Sequence, residues 1–185
     1  LNGKPVDHFQ ASTFEKTCFL LINDYEDKHK YELGVGPLND GYLMALRLHK
    51  LGFNIFYLYN PQSEEFGQYL AFFVKNTTKQ LTVFYSGRVT NKNTGISFSY
   101  TALVKESIAK IVEENYNGET KLVFITDSLG SGPAFAVNSG PHKNMTSISA
   151  VKKGKPTNED LVKKQGIFTY YLCKVLNECP TISPN

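Results

Sequence analysis

The sequence predicts an α/β fold: a three-layer sandwich in which a mostly parallel β-sheet carries helices on both faces. Short, almost continuously apolar runs alternate along the chain with segments whose apolar residues recur at helical spacing. No linker, internal repeat or low-complexity tract interrupts this alternation. Strands buried on both faces are apolar throughout, so these runs favour a parallel sheet covered on both sides. We expect one domain over residues 1–185, with its core at about 14–178.

The first half of the chain contains two predicted strands and two predicted helices. Residues 17–22 (TCFLLI) form an apolar run that ends in Asn-Asp, as a buried strand entering a loop does. Apolar residues recur at helical spacing over 38–51, and Gly52 is a natural helix stop. Residues 53–59 are rich in β-forming side chains and are closed by Asn-Pro. Residues 63–74 return to helical spacing.

The second half continues the pattern with three strands and two helices. Residues 81–85 (LTVFY) form a buried strand followed by Ser-Gly, and helical spacing covers 103–116. A fourth strand is predicted at 122–125 (LVFI) and a fifth at 145–151. The last predicted element is an amphipathic helix over 166–176.

Composition excludes several functional classes. A net charge of +3, without a basic helix or arm, argues against a nucleic-acid partner. No apolar segment is long enough to span a bilayer, so we expect no membrane association and a cytoplasmic location. The three cysteines form neither a C-x-x-C pair nor a Cys/His cluster. We therefore expect neither a metal site nor a cofactor.

Parallel strands place their carboxyl ends at one edge of the sheet, where sites form. The loops after Ile22 and Tyr59 are therefore candidate places, as are the polar residues after the third and fourth predicted strands. The candidate site residues at these two strand ends are Ser86, Gly87, Arg88, Asp127, Ser128, Leu129, Gly130 and Ser131.

Five segments, in order, resemble the caspase, metacaspase and paracaspase superfamily. The strand 17–22 resembles the opening strand of that family, and 39–53 resembles its N-D-x-x-x-M-x-x-x-L-x-x-x-G-F helix. Residues 84–87 (FYSG) resemble the strand that ends in Y-S-G-H-G. Residues 127–132 (DSLGSG) align without gaps to the metacaspase motif D-S-C-H-S-G, and 166–172 resemble the G-x-F-T-x-x-L helix start. The resemblance implies a caspase-like sandwich.

The departures from the family pattern concern its catalytic residues. The resemblance places Arg88 where the family has its catalytic histidine and Leu129 where it has its cysteine. A cysteine peptidase needs a thiolate nucleophile and an imidazole that titrates near neutral pH. Leucine offers no nucleophile, and arginine stays protonated. We expect no peptidase activity.

Two further departures agree with that expectation. The resemblance places Lys153 in the stretch where metacaspases carry an acidic anchor for a basic substrate side chain, and a lysine there would repel such substrates. Residues 89–105 contain no Asp or Glu, whereas calcium-dependent metacaspases carry an acidic cluster after the histidine. We expect no calcium site there.

Individual site residues allow more than one interpretation. Arg88 either binds an anion at the strand end or is a solvated or locally paired loop residue. Leu129 either packs into the emptied cleft or lies exposed in a loop. Asp40 and Asp127 are expected to accept backbone N–H groups rather than to act in catalysis.

The function that we expect is that of a non-catalytic pseudopeptidase, an interaction or regulatory module with a protein partner such as an active caspase-like peptidase. One alternative is a hydrolase of altered chemistry that uses Ser128 or Ser131 with His29 or His142, although no G-x-S-x-G elbow surrounds these serines. Another is a caspase-like domain within a longer protein whose function lies elsewhere.

Overall fold

The computed structural model of the chain describes residues 1–9, 12–27, 32–90, 95–129, 144–150, 159–160 and 164–178. A short 3-10 helix, Val6–Phe9, precedes the first strand. The elements of the first half are β1 Phe14–Ile22, α1 Gly36–Lys50, β2 Asn54–Tyr59, α2 Ser63–Asn76 and β3 Thr77–Arg88. Those of the second half are β4 Gly95–Ser97, β5 Ala102–Val104, α3 Lys105–Asn115, β6 Lys121–Leu129, β7 Met145–Ser149, β8 Glu159–Asp160, β9 Gln165–Gly166 and α4 Ile167–Glu178.

The central sheet, within the described residues, has five strands in the spatial order β2-β1-β3-β6-β7. Every neighbouring pair in it is parallel. The strand order reverses between β1 and β3, because the chain runs outward to β2 and then returns past β1. In open parallel sheets a crevice forms at such a reversal, outside the carboxyl ends of the strands.

Helices cover both faces of the sheet, which confirms the predicted three-layer α/β architecture. Helices α2 and α3 pack together on one face, and α1 and α4 pack together on the other. Phe19 and Leu21 of β1 belong to the core beneath α2 and α3. Cys18 and Leu20, which alternate with them, belong to the core beneath α1 and α4. The central strands are therefore buried on both sides, as their continuous apolar runs predict.

The predicted strands and helices are present, with shifted ends. Strand β3 begins at Thr77, directly after α2, and continues through the Ser-Gly step to Arg88, well beyond the predicted 81–85. Strand β6 likewise continues to Leu129. Both extensions have the same cause, because each polar strand end forms parallel ladder pairs with the other.

Two antiparallel pairs were not predicted. Residues 103–104, assigned to a helix from their spacing, instead lie in β5, which pairs with β4 as Gly95↔Val104 and Ile96↔Leu103. Strands β8 and β9 form the second pair, just before α4. The end of the predicted fifth strand, at Val151, lies outside the described residues.

Among the described residues, no helix combines the length and the apolar character that crossing a bilayer requires. The same residues contain no group of three or more His, Cys, Asp or Glu side chains placed to hold a metal ion.

Candidate functional site at the carboxyl ends of the central strands

The two strand ends singled out in the sequence are neighbours. The β3–β6 ladder pairs Ser86 with Asp127, Gly87 with Ser128 and Arg88 with Leu129. Neighbouring strands lie about 4.8 Å apart, so the Arg88 and Leu129 positions share one small region of the sheet edge. Both strands reach it in continuous ladder pairing, and the sheet itself therefore fixes the two backbone positions.

Hydroxyl groups hold the backbone of Arg88. The Arg88 N–H donates to Tyr25 Oη at 3.0 Å, and the Arg88 carbonyl accepts from Tyr85 Oη. Tyr25 Oη in turn donates to the Ser97 carbonyl at 2.7 Å and lies 3.1 Å from Tyr85 Oη. We call Tyr25, Tyr85, Ser97 and the Arg88 backbone the hydroxyl cluster. It ties the end of β3 to the loop after β1 and to β4.

The hydroxyl cluster is buried and stays uncharged. Tyr25 and Tyr85 expose 2% and 0% of their surfaces. Burial raises the pKa of the Tyr25 phenol, and it raises the pKa of the Tyr85 phenol further, with the nearby Tyr25 adding to the rise. Both phenols therefore remain protonated at physiological pH and act as hydrogen-bond donors and acceptors rather than as bases.

Gly87 makes room for this arrangement. A Cβ atom at this position would lie 2.6 Å from Tyr85 Oη and 2.8 Å from two ring carbons. Any larger residue would displace the Tyr85 ring and with it the hydrogen bond to Arg88. Close packing against the ring accounts for a glycine in the middle of a buried strand end.

Two carboxylates lie beside the hydroxyl cluster. Asp40, on α1, accepts from Ser86 Oγ at 3.0 Å and from the Gly166 N–H at 2.9 Å. Asp127, on β6, accepts from the Thr169 N–H at 3.1 Å and from Thr169 Oγ1 at 2.7 Å. We call Asp40, Asp127, Ser86, Gly166 and Thr169 the carboxylate cluster. It joins α1, β3, β6 and the start of α4.

The carboxylates carry out the role expected of them from the sequence, since each accepts a backbone N–H. Thr169 is the third residue of α4, so Asp127 satisfies one of the N–H groups that have no partner within the helix. A carboxylate is also favourable at the positive end of the helix dipole. Burial nevertheless raises the pKa of the Asp127 carboxyl, and the two hydrogen bonds from Thr169 offset only part of that rise.

Comparison with known proteins identifies the family. The family model described as Peptidase C14, caspase domain, matches residues 15–183, which is nearly the whole chain. The chain belongs to the caspase domain family. A solved structure, that of Caspase-1 from Spodoptera frugiperda, shares the fold of this caspase domain with a TM-score of 0.67 and 14% sequence identity. The match covers 92% of this chain and 72% of that one. A comparison with curated protein sequences found no match.

Several candidate residues of the caspase domain are only partly described. Ser128 is buried at the end of β6. The backbone position of Leu129 is fixed by its ladder pairing with Arg88, but the Leu129 side chain lies outside the part of the chain that the structure describes. Gly130, Ser131 and Lys153 lie outside the described residues. So do His29 and His142, the histidines considered as partners for a serine nucleophile.

A third polar group of this caspase domain lies in the loops after β1 and β2, two places that the sequence indicated without naming the residues that act there. Asp24 accepts from Tyr59 Oη at 2.5 Å and from Asn60 Nδ2 at 2.8 Å, while Asn60 Oδ1 accepts from the N–H groups of Asp24 and Tyr25. This group fixes the loop after β1, where Tyr25 has a positive φ of 63°. The sequence signal was Asn23-Asp24 after the first strand and Asn60 after the second, because parallel neighbouring strands place these residues at adjacent strand ends.

Proposed function

We propose that this caspase domain is a pseudopeptidase: a non-catalytic protein-interaction or regulatory module. The observation that carries the proposal is the pairing of Arg88 with Leu129 at the ends of β3 and β6. The family resemblance matches these two positions to the catalytic histidine and cysteine. The scaffold thus brings the two positions together, and the side chains there are a guanidinium and an aliphatic group.

The chemistry of these side chains argues against peptide hydrolysis. A leucine side chain has no atom that attacks a carbonyl carbon, and an arginine keeps its proton at any physiological pH. The nearby hydroxyl cluster supplies no substitute base, because burial raises the pKa of Tyr25 and Tyr85. Ser86 Oγ donates its hydrogen bond to the carboxylate of Asp40. Either departure, taken alone, removes a group that the cysteine peptidase mechanism requires.

The direct test is hydrolysis of fluorogenic peptides with arginine, lysine or aspartate before the scissile bond, with and without calcium. We expect the purified protein to hydrolyse these peptides no faster than buffer alone does. An active metacaspase in the same assay serves as the positive control, because it shows that the peptides can be cleaved. A serine-hydrolase activity probe should leave the protein unlabelled. Turnover or labelling that Arg88→Ala or Ser128→Ala removes would overturn the proposal.

Restoring the two side chains should not restore the activity. The variant Arg88→His with Leu129→Cys returns an imidazole and a thiol, but catalysis also needs the substrate and the oxyanion donors in register. The residue after Leu129 is Gly130, where metacaspases have a histidine, and Lys153 stands in the stretch of the acidic anchor. We expect a folded protein whose turnover is at least a hundredfold below that of the active enzyme. Turnover within about tenfold of that enzyme would contradict this.

The function that remains for such a domain is binding. The partner class that the family resemblance implies is an active caspase-like peptidase or one of its substrates. Co-precipitation of the purified domain with active caspase-like peptidases, read by their activity, tests this part of the proposal. Unchanged activity and no co-precipitation would contradict it.

A further inference from the structure

The helices that cover the α1/α4 side of the sheet carry regular stripes of exposed apolar side chains. Three such residues on each helix recur every four positions. They are Leu38, Tyr42 and Leu46 on α1 and Ile167, Tyr171 and Val175 on α4. Tyr42 exposes 64% of its surface and Tyr171 exposes 59%. We call these six residues the α1/α4 face.

The two stripes belong to one surface. Helices α1 and α4 pack side by side and run in the same direction. Asn39 Nδ2 donates to the Lys164 carbonyl near the start of both helices, and Arg47 Nη1 donates to Asn177 Oδ1 near the end of both. Residues four apart lie on one side of a helix, so each stripe follows its helix axis. The buried residues of α1, such as Met44, face the sheet instead.

The opposite layer shows that this pattern is not general in the molecule. The exposed positions of α2 are polar or charged, as at Glu64, Gln68 and Lys75. On α3 they are charged throughout, and Lys110 pairs with Glu114 at 3.7 Å. Single exposed apolar residues are normal on a protein surface. Two parallel stripes confined to one of two layers are characteristic of a surface that binds another molecule.

Charge around the α1/α4 face selects the kind of partner. Among the described residues, the exposed ionised side chains on these two helices and in the segments just before them are Lys50, Lys164 and Lys174, against the acids Glu32 and Glu178. A second copy of this chain, docked through the same face, would place lysines opposite lysines. An acidic surface would meet opposite charge instead.

From these observations we infer that the α1/α4 face binds an amphipathic α-helix of a partner protein. That helix carries apolar residues at i and i+4 spacing and acidic residues along its flanks, because helix-in-groove recognition reads such anchors. The inference rests on the proposed binding function and deepens it by naming the surface and the partner chemistry. Failure of helix binding would leave the peptide-hydrolysis result standing, so the two proposals fail separately.

The probe is a fluorescein-labelled peptide of about 18 residues, long enough for a helix, with a leucine stripe flanked by glutamates. A matched peptide has lysines in place of the glutamates. Fluorescence anisotropy is measured against wild type, Tyr42→Gln with Tyr171→Gln, and a control pair on the other layer, Glu106→Gln with Glu113→Gln. All four altered residues are exposed, so each variant should keep the wild-type circular dichroism and Tm.

The glutamate peptide should bind wild type at least tenfold more tightly than the lysine peptide does. The tyrosine variant should lose at least tenfold of that affinity, whereas the control pair should not. Hydrogen exchange should slow over 36–50 and 167–178 when the glutamate peptide binds.

Three results would overturn the inference. One is an equal affinity of wild type for the glutamate and lysine peptides, or an equal affinity of the glutamate peptide for wild type and the tyrosine variant. Another is wild-type self-association in sedimentation velocity that the tyrosine variant abolishes. The third is binding to phosphatidylserine vesicles without binding to the glutamate peptide, which would assign the face to a membrane surface.

Discussion

The hydroxyl cluster and the carboxylate cluster lie at the same edge of the sheet, but they are built from different chemistry. The hydroxyl cluster holds the Arg88 backbone with phenols that burial keeps protonated. The carboxylate cluster joins α1 and α4 to the strands through two aspartates, one of which has a raised pKa. The end of β3 is therefore held by phenols that stay protonated across the physiological pH range, whereas the attachment of α4 depends in part on Asp127, whose carboxyl has a raised pKa.

The largest expected effect is at Gly166, between the two carboxylates. A Cβ atom there would overlap Asp127 Oδ2 and lie 3.0 Å from Asp40 Oδ2. Gly166→Ala should lower the free energy of unfolding by about 3 kcal/mol, measured by urea denaturation. The matched control is Gly67→Ala in α2, whose Cβ would lie 3.4 Å from Ile111 Cδ1 and which we expect to be tolerated. Equal effects of the two substitutions would show that the carboxylates are not closely packed around Gly166.

A smaller effect is expected in the hydroxyl cluster. Tyr25→Phe removes the acceptor of the Arg88 N–H and the donor to the Ser97 carbonyl, both in a buried region. We expect a loss of about 1–3 kcal/mol in thermal or urea unfolding, with the same loss at pH 5 and pH 8. Tyr42→Phe, on the exposed surface of α1, serves as the control and should leave stability unchanged. A loss that varies with pH would mean that the cluster contains an ionised group.

The smallest expected effect is a difference in pH dependence, and it distinguishes the two clusters most directly. The folded pKa of Asp127 lies above its ordinary value of 3.8, so the folded state binds the proton more tightly than the unfolded state does. Between these two pKa values, the contribution of Asp127 to wild-type stability should rise as pH falls, and this gain should be complete below 3.8. Asp127→Asn lacks this contribution.

The measurement is the free energy of unfolding of wild type minus that of Asp127→Asn, determined at several pH values. This difference should increase as pH falls across the window, because other carboxyl groups contribute to both proteins alike. Asp40 lies close to Asp127, so the same series on Asp40→Asn is the control for coupling between the two. A difference that stays flat with pH would contradict a raised pKa at Asp127.

Much of the fold could be predicted because the central strands are buried on both faces. These strands, such as 17–22 and 122–125, lack a polar side that could face solvent. Such strands must be covered on both faces, and a parallel sheet between two layers of helices provides this. The proximity of Arg88 and Leu129 also followed, since both close strands that end at one edge. Residues 103–104 were wrongly assigned to a helix because two residues are too few to show the alternating pattern of a strand. Their pairing with β4, which the local sequence does not reveal, decides their conformation.

The interior of the site could not be predicted in the same way. The Asp40–Gly166 hydrogen bond joins residues 126 positions apart, and only the packing of α1 against α4 brings them together. The role of Tyr25 depends on a positive φ, which tyrosine rarely adopts and which no local pattern indicated. Lone polar residues give no periodic signal, so their partners become evident only in three dimensions.

The order of the strands has a consequence for how the chain folds. Strands β2, β1 and β3 lie side by side and are all contained in the first 88 residues, so this half of the sheet can assemble during synthesis before the rest exists. Helix α4 emerges after all the strands of the central sheet, and until then the core beneath α1 lacks its second helix. The hydrogen bonds of Asp40 to Gly166 and of Asp127 to Thr169 can therefore form only after α4 has been made. Because these contacts are long-range, we expect their formation to be among the slow, late steps of folding. Before that step, an unfinished chain exposes the apolar surface beneath α4 to aggregation.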